Sequence, residues 1–355
     1  MKKEPLVSII IVTYNNYDLT QPCIDSLMDC GYHNMKIYIV DNGSEEKTYK
    51  EFYNKNQDNP AIEFIALSKN VGFGGGCNAA LEKIEKGYIV FLSNDTVVTK
   101  HWLQPLISYM EENKNVGATQ PKVKDIKRKN YFEYAGASGG FMDIYGYPFS
   151  RGRIFFTLEK DKGQYDDIVD VVWCSGVALI TKKEVIEKTG FMDDIFFLYA
   201  EEADLCWRVH HAGYRLVFIP NSTVYHYGSK KSIIDKTFFS HRNGLIMLLK
   251  NYSNVQLLTY LPIRILLDII AFFYNIITLY PSHSIDMIKA YISLIILIPQ
   301  VLKKRKEVDR VKKANRNKKV VYPLYKRSII VDYFLKGKKT FTVLDKQDFT
   351  RFSLS

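Results

Sequence analysis

Asp95 closes the stretch FLSNDT, so a carboxylate stands where the apolar run Gly87-Tyr-Ile-Val-Phe-Leu92 ends. Beside a Gly-rich segment, such a carboxylate can hold Mg2+ or Mn2+ on a diphosphate. Those ions take one or two protein carboxylates and fill their other positions with phosphate oxygens. The competing reading makes Asn94-Asp95-Thr96 a helix cap. A second acidic group, Glu201, Glu202 and Asp204, crowds the stretch FFLYAEEADLCWR. Like charges this close raise one another's pKa and suit proton transfer. The competing reading is a solvated helix start, where the dipole favours acids. His226, in VYHYGSKKS, follows a strand-like run among aromatic residues. Alone it reads as structural, and a metal at Asp95 would change that.

The glycine cluster Asn70-VGFGGGC-Asn78 fits neither common phosphate fingerprint. It follows the third strand rather than the first, lacks the G-x-G-x-x-G spacing, and has no Gly-Lys-Ser/Thr. It can still bring backbone close to a ligand and offer N–H groups at a helix start.

These residues need a frame. LVSIIIV is a continuous apolar run with β-branched residues, as in a strand covered on both faces. A helix follows in TYNNYDLTQPCIDSLMDC, with Asp18 or Thr20 as its expected cap. MKIYIVDNGS is a second strand ending in Asp41, IEFIALSKN a third, GFGGGCNAALEKIEKG a helix and YIVFLSNDT a fourth strand. This order predicts an α/β fold with a doubly wound, mostly parallel sheet. Ligands bind beyond the carboxyl ends of such strands. Thr13-Tyr14-Asn15, Asp41-Asn42-Gly43-Ser44, Asn70 and Asn94-Asp95 all fall there, and four polar clusters on one edge favour a ligand site. Further on, residues 131–153 read as loops over a cleft, VVWCSGVALITKKEVIEKTGF as a strand and short helix, and EEADLCWRVHHAGYRLVF as a helix and strand.

The chain has 355 residues and a net charge of +11. Residues 303–319 hold ten Lys or Arg against Glu307 and Asp309, so the basic character belongs to one segment. With no zinc-finger spacing and no RRM-type aromatic run, nucleic acid is not an expected partner. Five cysteines without CxxC spacing read as free thiols. The apolar run at Leu6–Val12 is too short for a signal-peptide core and reads as a strand.

The last third, residues 246–355, differs from the rest. LLTYLPIRILLDIIAFFYNIITLY and IDMIKAYISLIILIPQ are mostly apolar helices with narrow polar stripes, including Arg264, Asp268, Asp286 and Lys289. Charges at a bilayer centre cost roughly 3 kcal/mol each. Helices lying in the membrane interface, beside a basic segment facing anionic lipid, fit better than spanning ones. A hydrophobic bundle packed on the main domain is the alternative. Residues 321–355 carry no motif.

In order along residues 6–232, VSIIIVTYNN, VDNGS, NVGFGGGCN, FLSNDT, WCSGVALI, TGFMDDIFFLYAEEADLCWRVHHAGYRL and HYGSKKS resemble family 2 glycosyltransferases. The resemblance is to the bacterial rhamnosyltransferase-like and galactofuranosyltransferase-like subgroup. It implies a GT-A fold over residues 1–245, a nucleoside-diphosphate sugar donor (dTDP- or UDP-linked) and inversion at the anomeric carbon. By the same resemblance, Thr13, Asn15, Asp41, Asn70, Gly72, Asn78 and Asn94 would bind the nucleotide sugar. Asp95 and His226 would hold Mg2+ or Mn2+, with Ser93 standing where the family's DxD motif has its first acid. Glu202 would be the base, where the family usually has Asp. Trp173, Tyr199, Glu201, Asp204 and Arg208 would lie toward the acceptor. Combined with the interfacial reading of the C-terminal helices, the family's usual substrates suit a lipid-linked saccharide acceptor and a peripheral place on the cytoplasmic face of the membrane. A non-catalytic sugar-nucleotide-binding scaffold is the second hypothesis. A nucleotidyltransferase is disfavoured, because TYNNYDLTQ lacks the basic Gly-rich loop expected near the first strand.

Overall fold

The computed structural model of the chain describes residues 4–228, 236–317 and 322–350. Residues 229–232 of the HYGSKKS stretch and Lys318 and Lys319 of the basic segment lie outside the described residues.

The first half alternates as its sequence predicts: β1 (Val7–Thr13), α1 (Tyr17–Met28), β2 (Met35–Asp41), α2 (Glu46–Asn56), β3 (Ile62–Ala66), α3 (Gly72–Leu81) and β4 (Tyr88–Ser93). The four strands pair in parallel in the order β3-β2-β1-β4. Alternate residues of β1 serve opposite faces of the sheet, as the two-residue strand period requires. Val7, Ile9 and Ile11 enter one apolar core and Ile10 the other. Helix α1 starts at Tyr17 after Asn16, not at Asp18 or Thr20. The Thr20 hydroxyl instead donates back to the Asn16 carbonyl at 2.8 Å.

Asp95 caps no helix. The chain continues as β5 (Thr96–Val98), and α4 (Leu103–Glu112) and β6 (Val116–Asp125) follow. The expected loops then form a four-stranded antiparallel sheet: β7 (Gly140–Met142), β8 (Pro148–Ser150), β9 (Arg153–Ile154) and β10 (Thr157–Leu158). Glycine and tyrosine density signalled turns there, but not the short strands between them. The main sheet is completed by β11 (Val169–Asp170), β12 (Ala178–Lys182) and, after α5 (Lys183–Thr189) and α6 (Glu201–His211), by β13 (Arg215–His226). Strand β12 runs antiparallel between β4 and β6, so the sheet is mixed.

Three helices close the fold: α7 (Lys236–Asn251), α8 (Asn254–Ile277) and α9 (Pro281–Ala314). A boundary at 245/246 falls inside α7, whose Leu245, Ile246, Met247 and Leu248 are buried in the main core. The narrow polar stripe of α8 faces protein. Arg264 and Asp268 are buried as an ion pair, Asp268 accepts from Tyr147 Oη (2.7 Å) and Tyr291 Oη (2.8 Å), and Arg264 donates to the Tyr145 carbonyl. The opposite face of α8 is exposed, with Leu266, Ile269, Ile270 and Phe273 turned outward. Residues 322–350 fold back on the small sheet. Tyr325 bridges to Asp143 and Phe349, and the rings of Phe341 and Phe349 lie 4.8 and 5.6 Å from that of Phe141.

Candidate active site

Strand register assembles the polar edge. Thr13 pairs with Asp41 across β1 and β2, and Val12 with Ser93 across β1 and β4. The carboxyl ends of three strands are therefore level. Asn94 donates its amide to the hydroxyls of Thr13 (3.2 Å) and Thr20 (3.0 Å), tying β4 to β1 and α1. Asn15, with φ 52°, accepts from Glu45 N and donates its own N–H to Ser44 Oγ. Asp41 is buried and accepts from Tyr17 Oη at 2.6 Å and from Ser44 N. Tyr17, stacked on Phe52 at 4.6 Å, is a site neighbour that the sequence reading passed over.

The glycines of α3 serve close packing. Gly72 has φ 79°, and a Cβ there would fall 2.1 Å from the Phe197 carbonyl oxygen. At Gly76 a Cβ would meet Val12 at 2.7 Å. Asn70 accepts from Gly72 N and from Asn42, while both ends of the Asn78 amide pair with the Met192 backbone. These two asparagines hold the turn and the helix, and α3 lies directly against β1 and the Phe197 turn. Gly72→Ala is therefore expected to cost about 1–3 kcal/mol through backbone strain and overlap. A lowered unfolding midpoint measures this.

His226 reaches Asp95 through pairing of β13 with β5, in which His226 stands opposite Thr96. Its Nε2 lies 2.8 Å from Asp95 Oδ1, and its Nδ1 lies 3.2 Å from Glu133 Oε2. All three side chains are buried. Burial alone would lower the His226 pKa, but hydrogen bonds to Asp95 and Glu133 outweigh it and raise it to about 10. Glu133 was not singled out from the sequence, since no motif surrounds it. Among the described residues no group of three or more His, Cys, Asp or Glu has the arrangement of a preformed cation cage. Asp95 and His226 nevertheless fit two positions of one ion: adjacent ligands on an octahedral Mg2+ at ~2.1 Å stand ~3 Å apart. A carboxylate oxygen and an imidazole nitrogen are also an ordinary donor set for Mn2+.

Glu202 comes to the same edge by a different route. Its side chain packs against Gly176, where a Cβ would lie 3.6 Å from Glu202 Cγ. The next residue, Val177, accepts from Ser93 N at 3.0 Å. The segment Gly176-Val177 thus touches Glu202 directly and is joined to Asp95 through Ser93. Burial raises the Glu202 pKa, while N–H groups of Glu202, Ala203 and Gly176 limit the rise. Glu201 is more deeply buried, with one carboxylate oxygen lacking a partner, and burial and then the Glu202 charge push its pKa well up. Two adjacent glutamates at a helix start thus have raised values, and neither is a solvated cap.

Asp204 differs. Burial would raise its pKa, but Lys250 and then Arg208 hold it near 2. Lys250 also pairs with Asp193 at 2.6 Å, and Arg208 donates to the carbonyls of Thr189 and Gly190. Asp204 and Arg208 are occupied inside this network rather than turned to an acceptor. The indole N–H of Trp173 likewise donates inward, to the Phe141 carbonyl. Three residues before α6 take left-handed backbone without being glycine: Phe197, Tyr199 and Ala200, with φ 60°, 67° and 72°. Such strain persists only where its surroundings hold it. Asn243 of α7 supplies the hold, donating to the carbonyls of Phe196 (3.0 Å), Leu198 (2.7 Å) and Tyr199 (2.7 Å). Neither Asn243 nor Lys250 could be found from sequence, because both lie about fifty residues beyond the turn they fix.

Residues 8–178 match the profile of Glycosyl transferase family 2. The chain carries a family 2 glycosyltransferase domain. The chain is similar to rhamnosyltransferase WbbL of Escherichia coli (strain K12), at 25% identity over 245 residues, 66% of this chain and 89% of that protein. Against three other curated relatives, the matched segment covers between 25% and 48% of their length. Among solved structures, S. aureus TarS 1–349 in complex with UDP-GlcNAc superposes with a TM-score of 0.55 at 13% identity, covering 90% of this chain and 94% of that one. The mannosyltransferase PcManGT from Pyrobaculum calidifontis, in complex with GDP-Man and Mn2+, gives 0.51 at 12% identity, covering 89% and 88%. The glycosyltransferase domain thus has the GT-A fold that the resemblance implied.

Proposed function

We propose that this glycosyltransferase moves a sugar from a dTDP- or UDP-linked donor to a hydroxyl of a lipid-linked saccharide, with inversion, at the cytoplasmic face of the membrane. The observation that carries the reading is the meeting of two chemistries across one segment. Glu202 packs on Gly176, and Val177 is bonded to Ser93, whose hydroxyl donates to Asp95, the partner of His226. Asp41, Asn15 and Thr13 form the nucleotide end of the same edge. The Mn2+ of the PcManGT complex supports a metal requirement by analogy. Asp95 and His226 would hold such an ion, which would bind the donor diphosphate and offset its charge as it leaves. Glu202 takes the proton of the acceptor hydroxyl as its oxygen attacks the anomeric carbon. A raised Glu202 pKa makes a base that binds a proton more readily than an ordinary glutamate. The ionised form acts, so activity is expected to fall on the acid side, with an apparent pKa above the usual glutamate range.

Asp95→Ala is expected to reduce transfer by about three orders of magnitude, the scale on which removing one electrostatic stabiliser of a transition state is felt. It is also expected to remove the part of nucleotide binding that depends on Mn2+ or Mg2+. Thermal shift with UDP and dTDP, each with and without the ion, reads this; an unchanged metal response would move the ion site elsewhere.

The membrane part of the reading rests on α8 and α9. Both helices are long and apolar enough to cross a bilayer, but only 11% and 28% of their apolar windows are buried. The middle of α8 is docked on Tyr145 and Tyr147 of the small sheet. A helix fastened to a globular domain at its midpoint lies along that domain, so its free apolar face suits an interface rather than a span.

A further inference from the structure

Three separate segments bring exposed apolar side chains to one place beside α8. The first is the β9–β10 hairpin tip, where Phe156 is 85% exposed. The second is the C-terminal turn, where Phe334 is 43% and Leu335 80% exposed. The third is Tyr274 on the outward side of α8. The ring of Phe334 lies 5.3 Å from Phe155, 6.3 Å from Phe156 and 6.5 Å from Tyr274, so it joins the three segments. Tyr333 fastens the turn to the hairpin, its hydroxyl 3.0 Å from that of Thr157. Phe155 keeps this arrangement with φ 45°, a left-handed conformation unusual for an aromatic residue. Such a turn would ordinarily take glycine, which would carry no ring.

The rim of the patch is basic. Buried Asp332 is shared by Arg327, Lys336 and Lys338, and Asp348 also faces Arg327. Lys339 sits 3.8 Å above the Tyr333 ring. Four cations thus stand against two carboxylates at the edge of an exposed aromatic tip. Apolar side chains ringed by surplus Lys are the composition of a surface that enters an anionic lipid headgroup layer.

We propose that the Tyr333–Lys339 turn and the Phe155-Phe156 hairpin tip are a second membrane-docking element. The two continue the lipid-facing surface of α8 and take a bilayer containing anionic headgroups. This rests on the interfacial reading of α8 and extends it to a segment with no motif. Docking at a hairpin as well as a helix sets the orientation of the domain on the bilayer, which one helix free to roll does not. The hairpin also leads to the site. The Arg153 guanidinium stacks 4.0 Å from the Tyr134 ring, and Tyr134 follows Glu133, the neighbour of His226. One stacked pair therefore joins the base of the hairpin to the residue beside Glu133.

The test is co-sedimentation of the full chain with phosphatidylcholine vesicles, with and without phosphatidylglycerol. Phe334→Ser/Leu335→Ser and, separately, Phe156→Ser are compared with Ile270→Ser/Phe273→Ser on α8. These side chains are exposed, so unchanged unfolding midpoints and UDP binding check that the fold is intact. The tail double variant is expected to lower partitioning about tenfold or more, and Phe156→Ser by several-fold, from the apolar area withdrawn from lipid. Wild-type binding to the anionic vesicles is expected to weaken with salt. If both tip variants sediment like wild type while the α8 variant is released, the tip has no part in docking and the α8 reading stands. If the wild type binds neither vesicle, both fail. If the tip variants change only the oligomeric state, the patch faces another copy of the chain and the proposal is overturned.

Discussion

Glu202→Gln lowers turnover by about two to four orders of magnitude, the usual contribution of a positioned general base, and leaves nucleotide binding at wild-type strength. Glutamine keeps the length and packing against Gly176 and removes only the ability to accept a proton. The substitution also relieves Glu201 of its like-charged neighbour, so the pKa of that buried acid should fall while remaining above the ordinary range because of burial. Glu201 is a poor substitute, since it is 4% exposed and burial disfavours its charged form. Glu202→Asp separates chemistry from position. It retains a carboxylate but withdraws it by about an ångström, and partial activity is expected. Single-turnover rates with saturating donor measure both variants; wild-type rates for Glu202→Gln would assign the proton transfer to another group.

Lys250→Met is expected to destabilise the fold by about 3–5 kcal/mol, the cost of removing one partner from a buried ion pair. Lys250 is 1% exposed and stands between Asp193 and Asp204, with Asn251 and Arg208 as the remaining partners of Asp204. Methionine fills the space but leaves two buried carboxylates short of a cation. Asp204 then loses the larger of the charges that lower its pKa. In the wild type its pKa is depressed to about 2, so its contribution to stability is present above the unfolded carboxylate pKa. That contribution is lost as pH falls toward about 2. In Lys250→Met the loss begins at a higher pH. Denaturant midpoints across the acid range read both the depth and the shift. A variant as stable as wild type at neutral pH would show the network to be dispensable.

The parallel half of the sheet was legible because its signals are local. β1 reads as a strand from seven consecutive residues, and Asp41 and Asn94-Asp95 mark strand ends by their own position. The pairing of Asp95 with His226 needed more. It depends on β5, three residues long, choosing β13 as its partner. No periodicity reports a strand that short. Glu133, Asn243 and Lys250 were illegible for a related reason: each acts on residues distant in sequence, and its surroundings give no pattern. The acidic cluster at α6 was visible as a cluster, but not how burial divides it, with two acids raised and Asp204 lowered. The tail was silent because its order comes from rings on the small sheet, not from its own propensity.

Helix α7 carries Asn243 and Lys250 and runs, after a two-residue break, into α8. The same short rod that fastens the strained turn before Glu202 is the root of the apolar helices α8 and α9. Solubilising this protein by cutting it after residue 245 would take away Lys250 together with the apolar helices. The loss of activity that followed would say nothing about lipid. Polar replacements on the outward face of α8 leave the rod whole, and offer a water-soluble protein whose catalysis can still be judged.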